Sequence, residues 1–258
     1  MDIHVVLLPR DLRPEHLTGR AVVVFDVLRA TTSMTAALAA GVREIRVFGD
    51  LAAARAAAAA FDGPADTRLL CGEENCLRPA GFDLGNSPGA FDPAACAGRV
   101  AFMSTTNGTR AILAARGAGA ILTGAVVNAG AVGRAVAALR MPVTLLCAGT
   151  NGRVAMEDVI GAGAVIDALT PADGSPTAWR SAGDAALIAR HLFAAARPQL
   201  RRVLAEGDGG RNVLAAGLGR DIDFAARVDV LDALGFVDGS AAAPVVRPWD
   251  PAAFRVGQ

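Results

Sequence analysis

Three stretches of this 258-residue chain constrain its fold more than any other feature: VVVFDVLRATTS from Val22, VAFMSTTNGTRA from Val100 and VTLLCAGTNGRVAMED from Val143. Each begins as a short apolar run, β-branched in the first, without the polar alternation of a half-exposed strand. Such runs are strands buried on both faces, the kind found in parallel sheets covered by helices. Each run then breaks into a polar turn ahead of helical sequence. In open α/β sheets ligands settle in the crevice beyond the strand C-termini, where unpaired helix N–H groups favour an anion. In the first stretch Asp26 and Arg29 flank that crevice, and Thr31, Thr32 or Ser33 can cap the following helix.

The same alternation runs through most of the chain. Strands are expected at residues 3–8, 22–25, 44–48, 68–71, 100–104, 120–125 and 143–147, and helices from 31 to 41, 51 to 61, 109 to 116, 128 to 139 and 157 to 169, the last despite two internal glycines. The segment from Gly72 to Gly98 breaks this pattern with acids, prolines and turn-formers. Its apolar anchors Phe82, Leu84 and Phe91 predict an ordered loop lying over the sheet. TPADGSPT marks a loop at which two lobes could divide, near residues 170–180; beyond it the chain reads as mainly helical to Leu234 and as an irregular closing segment from Gly235. The expected architecture is therefore an α/β fold over residues 1–258, a largely parallel sheet with helices on both faces and a helical C-terminal part. The shared T-N-G of the second and third stretches allows two related lobes by duplication, or common turn chemistry.

A chain of this length buries a substantial core without disulfides or a structural metal. The formal charge is zero and the basic residues are scattered, which argues against a nucleic-acid partner. All 25 basic residues are arginine, so Schiff-base chemistry, pyridoxal-phosphate attachment and a lysine-dependent P-loop are excluded. Cys71, Cys76, Cys96 and Cys147 show neither zinc-site spacing nor the density of a secreted scaffold. No basic leader precedes an apolar core, and no uncharged run reaches the roughly 18 residues that span a bilayer. A cytoplasmic protein without a membrane partner is expected, with homo-oligomerisation left open.

Ser104 to Arg110 combines hydroxyls, an amide and a guanidinium at the start of a helix, a plausible oxyanion cradle in which Arg110 approaches phosphate, although turn and cap structure explains the same residues. Asp26, Glu73, Glu74, Asp83, Glu157 and Asp158 lie at strand ends or in loops and are oxygen donors suited to Mg²⁺. Cys147 and Arg153 match the C-x5-R spacing of cysteine-dependent phosphatases, which makes Cys147 an alternative nucleophile. His4, His16 and His191 are too dispersed to suggest a histidine metal site, and no strand leads into G-x-G-x-x-G.

With FDVLRATTS, GFDLGNSP, STTNGTRA, CAGTNG and MED in this order, the chain resembles the 2-phosphosulfolactate phosphatase (ComB) family over most of residues 20–165, and more faintly through LGRDIDFAARVD near residues 221–229. The resemblance implies a Mg²⁺-dependent acid phosphatase that converts a small anionic phosphorylated substrate, 2-phospho-3-sulfolactate, to sulfolactate and phosphate on a route to coenzyme M. It points to Asp26, Arg29, Glu73, Asn86, Ser87, Thr105 to Arg110, Glu157 and Asp158. On our reading Asp26, Glu157 and Asp158 are catalytic, and Arg29, Thr105, Thr106, Asn107 and Arg110 bind phosphate. Asn86 and Ser87 contact substrate, while Asp26, Glu73 and Asp158 hold the metal. Glu74 stands where the family pattern usually has arginine, which bears on the substrate's second anion. A non-catalytic anion-binding protein of the same fold is the rival reading.

Overall fold

The computed structural model describes residues 1–171, 179–239, 241 and 243–252. In chain order it contains β1 (Asp2–Val6), β2 (Ala21–Phe25), α1 (Ala30–Ala39), β3 (Glu44–Val47), α2 (Leu51–Ala59), β4 (Arg68–Gly72), α3 (Pro93–Cys96), β5 (Val100–Ser104), α4 (Gly108–Ala114), β6 (Ala120–Gly124), α5 (Ala129–Leu139) and β7 (Val143–Cys147). It continues with α6 (Met156–Ala168), β8 (Arg180–Ser181), α7 (Asp184–Ala196), α8 (Leu200–Glu206), α9 (Asp208–Ala215), α10 (Gly219–Ala225), β9 (Gly235–Asp238) and β10 (Val245–Pro248). The seven expected strands are present with ends shifted by a residue or two, where hydrogen bonding tapers.

All the strands belong to one mixed, largely parallel sheet in the order β4-β5-β3-β10-β9-β6-β2-β7-β1-β8. Pairing is parallel within β4-β5-β3 and within β6-β2-β7-β1-β8. The hairpin β9–β10 joins the two blocks by antiparallel pairing to β6 and β3. The segment from Gly235, expected to be irregular, thus supplies two interior strands. Their short, glycine- and proline-containing sequences hide the strand signal, and the sheet supplies what local propensity does not. The suggested lobe boundary falls largely on residues 172–178, which lie outside the described residues.

Alternate side chains of β2 feed two cores, Val23 and Phe25 packing with α5, α6 and α7 on one face, and Val22 and Val24 with α1 on the other. The second core also contains Ile45 of β3 and Met103 of β5, so α1 is enclosed between the two blocks, and nine of its ten residues are buried. Its polar side chains are consequently satisfied inside the protein: Thr31, Thr32 and Thr35 hydroxyls donate to the carbonyls of Asp26, Val27 and Thr31 at 2.9, 2.7 and 2.9 Å, and Ser33 to that of Asn86 at 2.7 Å. These residues lie within the helix, and none is its N-cap, which is Arg29. The two glycines of α6 also have a packing reason. A Cβ at Gly161 would come within 2.7 Å of Val27, and one at Gly163 within 2.1 Å of the Ala189 carbonyl of α7.

The long loop from Gly72 to Gly98 is ordered as expected over the sheet edge, with Phe82 and Phe91 buried and Leu84 bridged to Cys71. Because β9 and β10 close the middle of the sheet, a chain ending at Leu234 is expected to lose cooperative unfolding in urea. Val246→Asp, which buries a charge at a fully enclosed site, is expected to destabilise by at least about 3 kcal/mol.

Candidate active site

Asp26 follows β2 directly and is 6% exposed. Its carboxylate accepts the N–H of Ala30 at 3.2 Å and lies against the backbone N–H of Gly108. The glycine of the TTNGTR turn is required here, since a Cβ would lie 2.5 Å from the Ala30 Cβ and 2.8 Å from Asp26 Oδ2. Burial, with the neighbouring Glu73 charge, pushes the Asp26 carboxyl up to about 6 despite those two donors. Glu73 Oε1 accepts the Thr106 N–H at 2.9 Å and the Thr106 hydroxyl, and Oε2 accepts the Cys76 N–H at 2.9 Å. The anion cradle expected from backbone amides is thus partly filled by the protein's own carboxylates. One buried acid, Asp26, and one half-buried acid, Glu73, take the donors nearest to them before any ligand arrives.

Arg29 is 3% exposed and clamped. Nη1 donates to Asp221 at 2.6 Å and to Ser87 Oγ at 3.3 Å, Nη2 donates to the Cys76 carbonyl at 2.5 Å, and Ser87 Oγ donates to Asp221 at 2.8 Å. Guanidinium carries five N–H groups, which leaves two for a ligand. Asp221, on α10, was not among the expected site residues. Its single trace in the sequence was the faint LGRDID match, because one acid in a helical segment looks like a solvated charge. Ser87 serves this clamp and does not line the cavity.

A cavity of about 510 Å³ opens where the turns after β2, β4, β5 and β7 meet α9. Of the residues named from the sequence, Asp26, Arg29, Glu73, Asn86, Thr105, Thr106 and Asn107 line it, together with Asn75, Cys76, Thr150, Asn151 and Asn212. Asn86 is 4% exposed, and its Oδ1 has no hydrogen-bond partner.

Other expected residues lie elsewhere. Arg110 stands on the exposed side of α4, outside the lining, because its helical position turns it away from Asp26. Glu157 and Asp158 are buried and also outside the lining. Asp158 accepts the N–H groups of Val27 at 2.8 Å and Gly149 at 2.9 Å, bracing the turns after β2 and β7. Burial and the charges of Asp26 and Glu157 push its carboxyl well up. Glu157 lies against Gly207 and Gly209; its Oε2 has no partner, and burial, with Asp26 and Asp208 nearby, pushes it up to about 7. Cys147 is fully enclosed and its thiol is raised by burial, while Arg153 is exposed and lies 3.6 Å from Asp208. That pair forms no phosphate loop. Among the described residues no three acidic, histidine or cysteine side chains converge as a metal cluster, and both Asp158 oxygens are taken by backbone N–H groups outside the lining.

Such a site, at strand C-termini with a clamped cation and buried acids, belongs to α/β enzymes acting on small anions. The 2-phosphosulpholactate phosphatase family model matches residues 6–239. Relatives named probable 2-phosphosulfolactate phosphatase include a protein of Synechococcus sp. strain CC9605, 39% identical over 93% of this chain and 95% of its own length. Others come from Symbiobacterium thermophilum, 37% identical over 85% and 92%, and Gloeobacter violaceus, 37% identical over 91% and 94%. The chain belongs to the 2-phosphosulpholactate phosphatase family and is a phosphoric monoester hydrolase. No described helix is long and apolar enough to cross a membrane.

Arg29→Ala is expected to lower phosphatase turnover by at least about a hundredfold, and Arg110→Ala by less than about threefold, in steady-state assays. Arg29→Ala and Asp221→Ala should each cost about 3 kcal/mol in urea unfolding, and the double variant far less than their sum, because each single change strands a buried charge. In chelator, stability should fall as pH rises from about 4 through about 7, since Asp26, Glu157 and Asp158 bind protons more tightly folded than unfolded. Asp26→Asn should recover on the order of 3 kcal/mol at pH 8.

Proposed function

We propose that the protein hydrolyses 2-phospho-3-sulfolactate to 3-sulfolactate and inorganic phosphate with Mg²⁺ as cofactor, in a route that leads toward coenzyme M. The observation that carries this reading is that two acids, the buried Asp26 and the half-buried Glu73, line a cavity whose lining cation, Arg29, is already paired to Asp221. A phosphate ester would meet net repulsion there without a divalent cation. The donor set fits a hard one: Asp26 and Glu73 supply carboxylate oxygens, and Asn86, with its unpartnered Oδ1, belongs to the same lining. Mg²⁺ commonly takes one or two carboxylates and completes its shell with water and substrate oxygens. When bound, it would supply neutralisation of the phosphoryl oxygens.

The chain's own residues do the rest. The two remaining N–H groups of Arg29 bind the phosphoryl group, and the Asp221–Ser87 clamp holds the guanidinium in place, so little reorganisation is needed as charge shifts in transfer. Thr105, Thr106 and Asn107 close the β5 side of the cavity. Asp26 and Glu73 are the lining acids that orient the attacking water and accept its proton.

Phosphate release from 2-phosphosulfolactate should be abolished by chelator and restored by Mg²⁺, and Asp26→Asn should reduce it by at least about a hundredfold. Full activity in chelator would overturn the cofactor assignment. Tight binding of the ester without turnover would favour the non-catalytic reading.

A further inference from the structure

The chain contains six asparagines, and five of them, Asn75, Asn86, Asn107, Asn151 and Asn212, line the cavity. None of the five side chains makes a hydrogen bond to another described residue; Asn75, Asn151 and Asn212 are exposed and face the solvent of the cavity, Asn107 is half-buried and Asn86 is buried. The sixth, Asn128, lies elsewhere and is fully engaged, accepting the Ala125 N–H at 2.9 Å and donating to Thr35 and the Ala233 carbonyl at 3.3 and 3.0 Å. Buried amides left unpaired cost about 1–3 kcal/mol, and Asn86, nine-tenths buried with an orphan Oδ1, bears that cost at the cavity wall.

Local structure accounts for some of these residues. Asn75 and Asn151 have φ of 51° and 52°, the left-handed region that asparagine tolerates in tight turns. Asn212 has no such excuse: it lies inside α9, where asparagine is a poor helix former.

The ligand chemistry complements this wall. A three-carbon ester carrying phosphate, carboxylate and sulfonate needs donors for each group, yet three of the Arg29 N–H groups serve the clamp, the other two face the phosphoryl group on this reading, and the nearby turn amides are taken by Asp26 and Glu73. Phosphate and carboxylate are good ligands for a hard cation. A sulfonate is a weakly basic anion and a poor one, so neutral N–H donors suit it. Asn151 and Asn212 offer these from the β7 turn and α9, elements that contribute no acid to the lining.

Building on the phosphosulfolactate reading of this cavity, we infer that Asn151 and Asn212 form the sulfonate subsite and determine specificity for sulfonate-bearing esters. The test compares kcat/KM for 2-phosphosulfolactate and 2-phospholactate, its analogue without sulfonate, in wild type, Asn212→Ala, Asn212→Asp and Asn151→Ala. Each variant should reduce the preference for the sulfonated ester by roughly tenfold or more, through KM, with Asn212→Asp the most severe because it opposes like charges. Calorimetry with 3-sulfolactate and lactate should show the same selective loss. If wild type hydrolyses the sulfonated ester and all variants keep its preference within about threefold, the subsite is overturned while the function stands. If wild type hydrolyses neither ester, the function fails, and calorimetry decides the subsite alone: 3-sulfolactate binding that weakens in Asn212→Asp sustains it, and equal or absent binding overturns it.

Discussion

Nine of the ten residues of α1 are buried, so this helix has no solvent face on which to leave a polar group. Enclosing it requires apolar surface from both blocks of the sheet, which Val22 and Val24 supply on one side and Ile45 and Met103 on the other. The blocks are joined through β9 and β10, and three successive antiparallel pairings reverse the strand direction between them. The sheet nevertheless wraps far enough for the turns after β2 and β5 to share a cavity. The position of the site is thus a consequence of enclosing one helix.

Burial also governs the chemistry. Asp26 and Asp158 are largely shielded from solvent, and backbone N–H groups partly compensate for the lost hydration. That compensation uses up amides which a simpler α/β site would offer to a phosphate. The protein is left with a carboxylate-rich cavity, one clamped guanidinium and a set of free side-chain amides, an arrangement suited to a cation and a polyanion together.

Several parts of this were legible in local residue patterns. The buried strands, the crevice at Asp26 and Arg29, and the Thr105–Asn107 turn all rest on short-range signals, a β-branched run followed by turn chemistry. Asn151 carried a trace of its place at the cavity in the repeated T-N-G, whose two copies both reach the lining. Asp221, Asn212 and the β9–β10 strands were illegible for a common reason. Their environments come from residues far away in the chain, as Asp221 meets Arg29 across 192 positions. The direction of Arg110 was likewise a matter of helix phase, which a motif does not convey.

By itself the sequence determined the α/β class, the lysine-free chemistry, the family and the strand ends that carry the site, because each depends on residue type and local order. Tertiary structure decided which polar groups are already satisfied. It turned the expected backbone cradle into support for Asp26 and Glu73, made Asp158 a brace, sealed Cys147 and, among the described residues, left the five cavity asparagine side chains without an internal hydrogen bond. The physical reason is that a hydrogen bond made inside the protein is lost to a ligand, and which bonds are made depends on how two distant blocks of sheet close around α1.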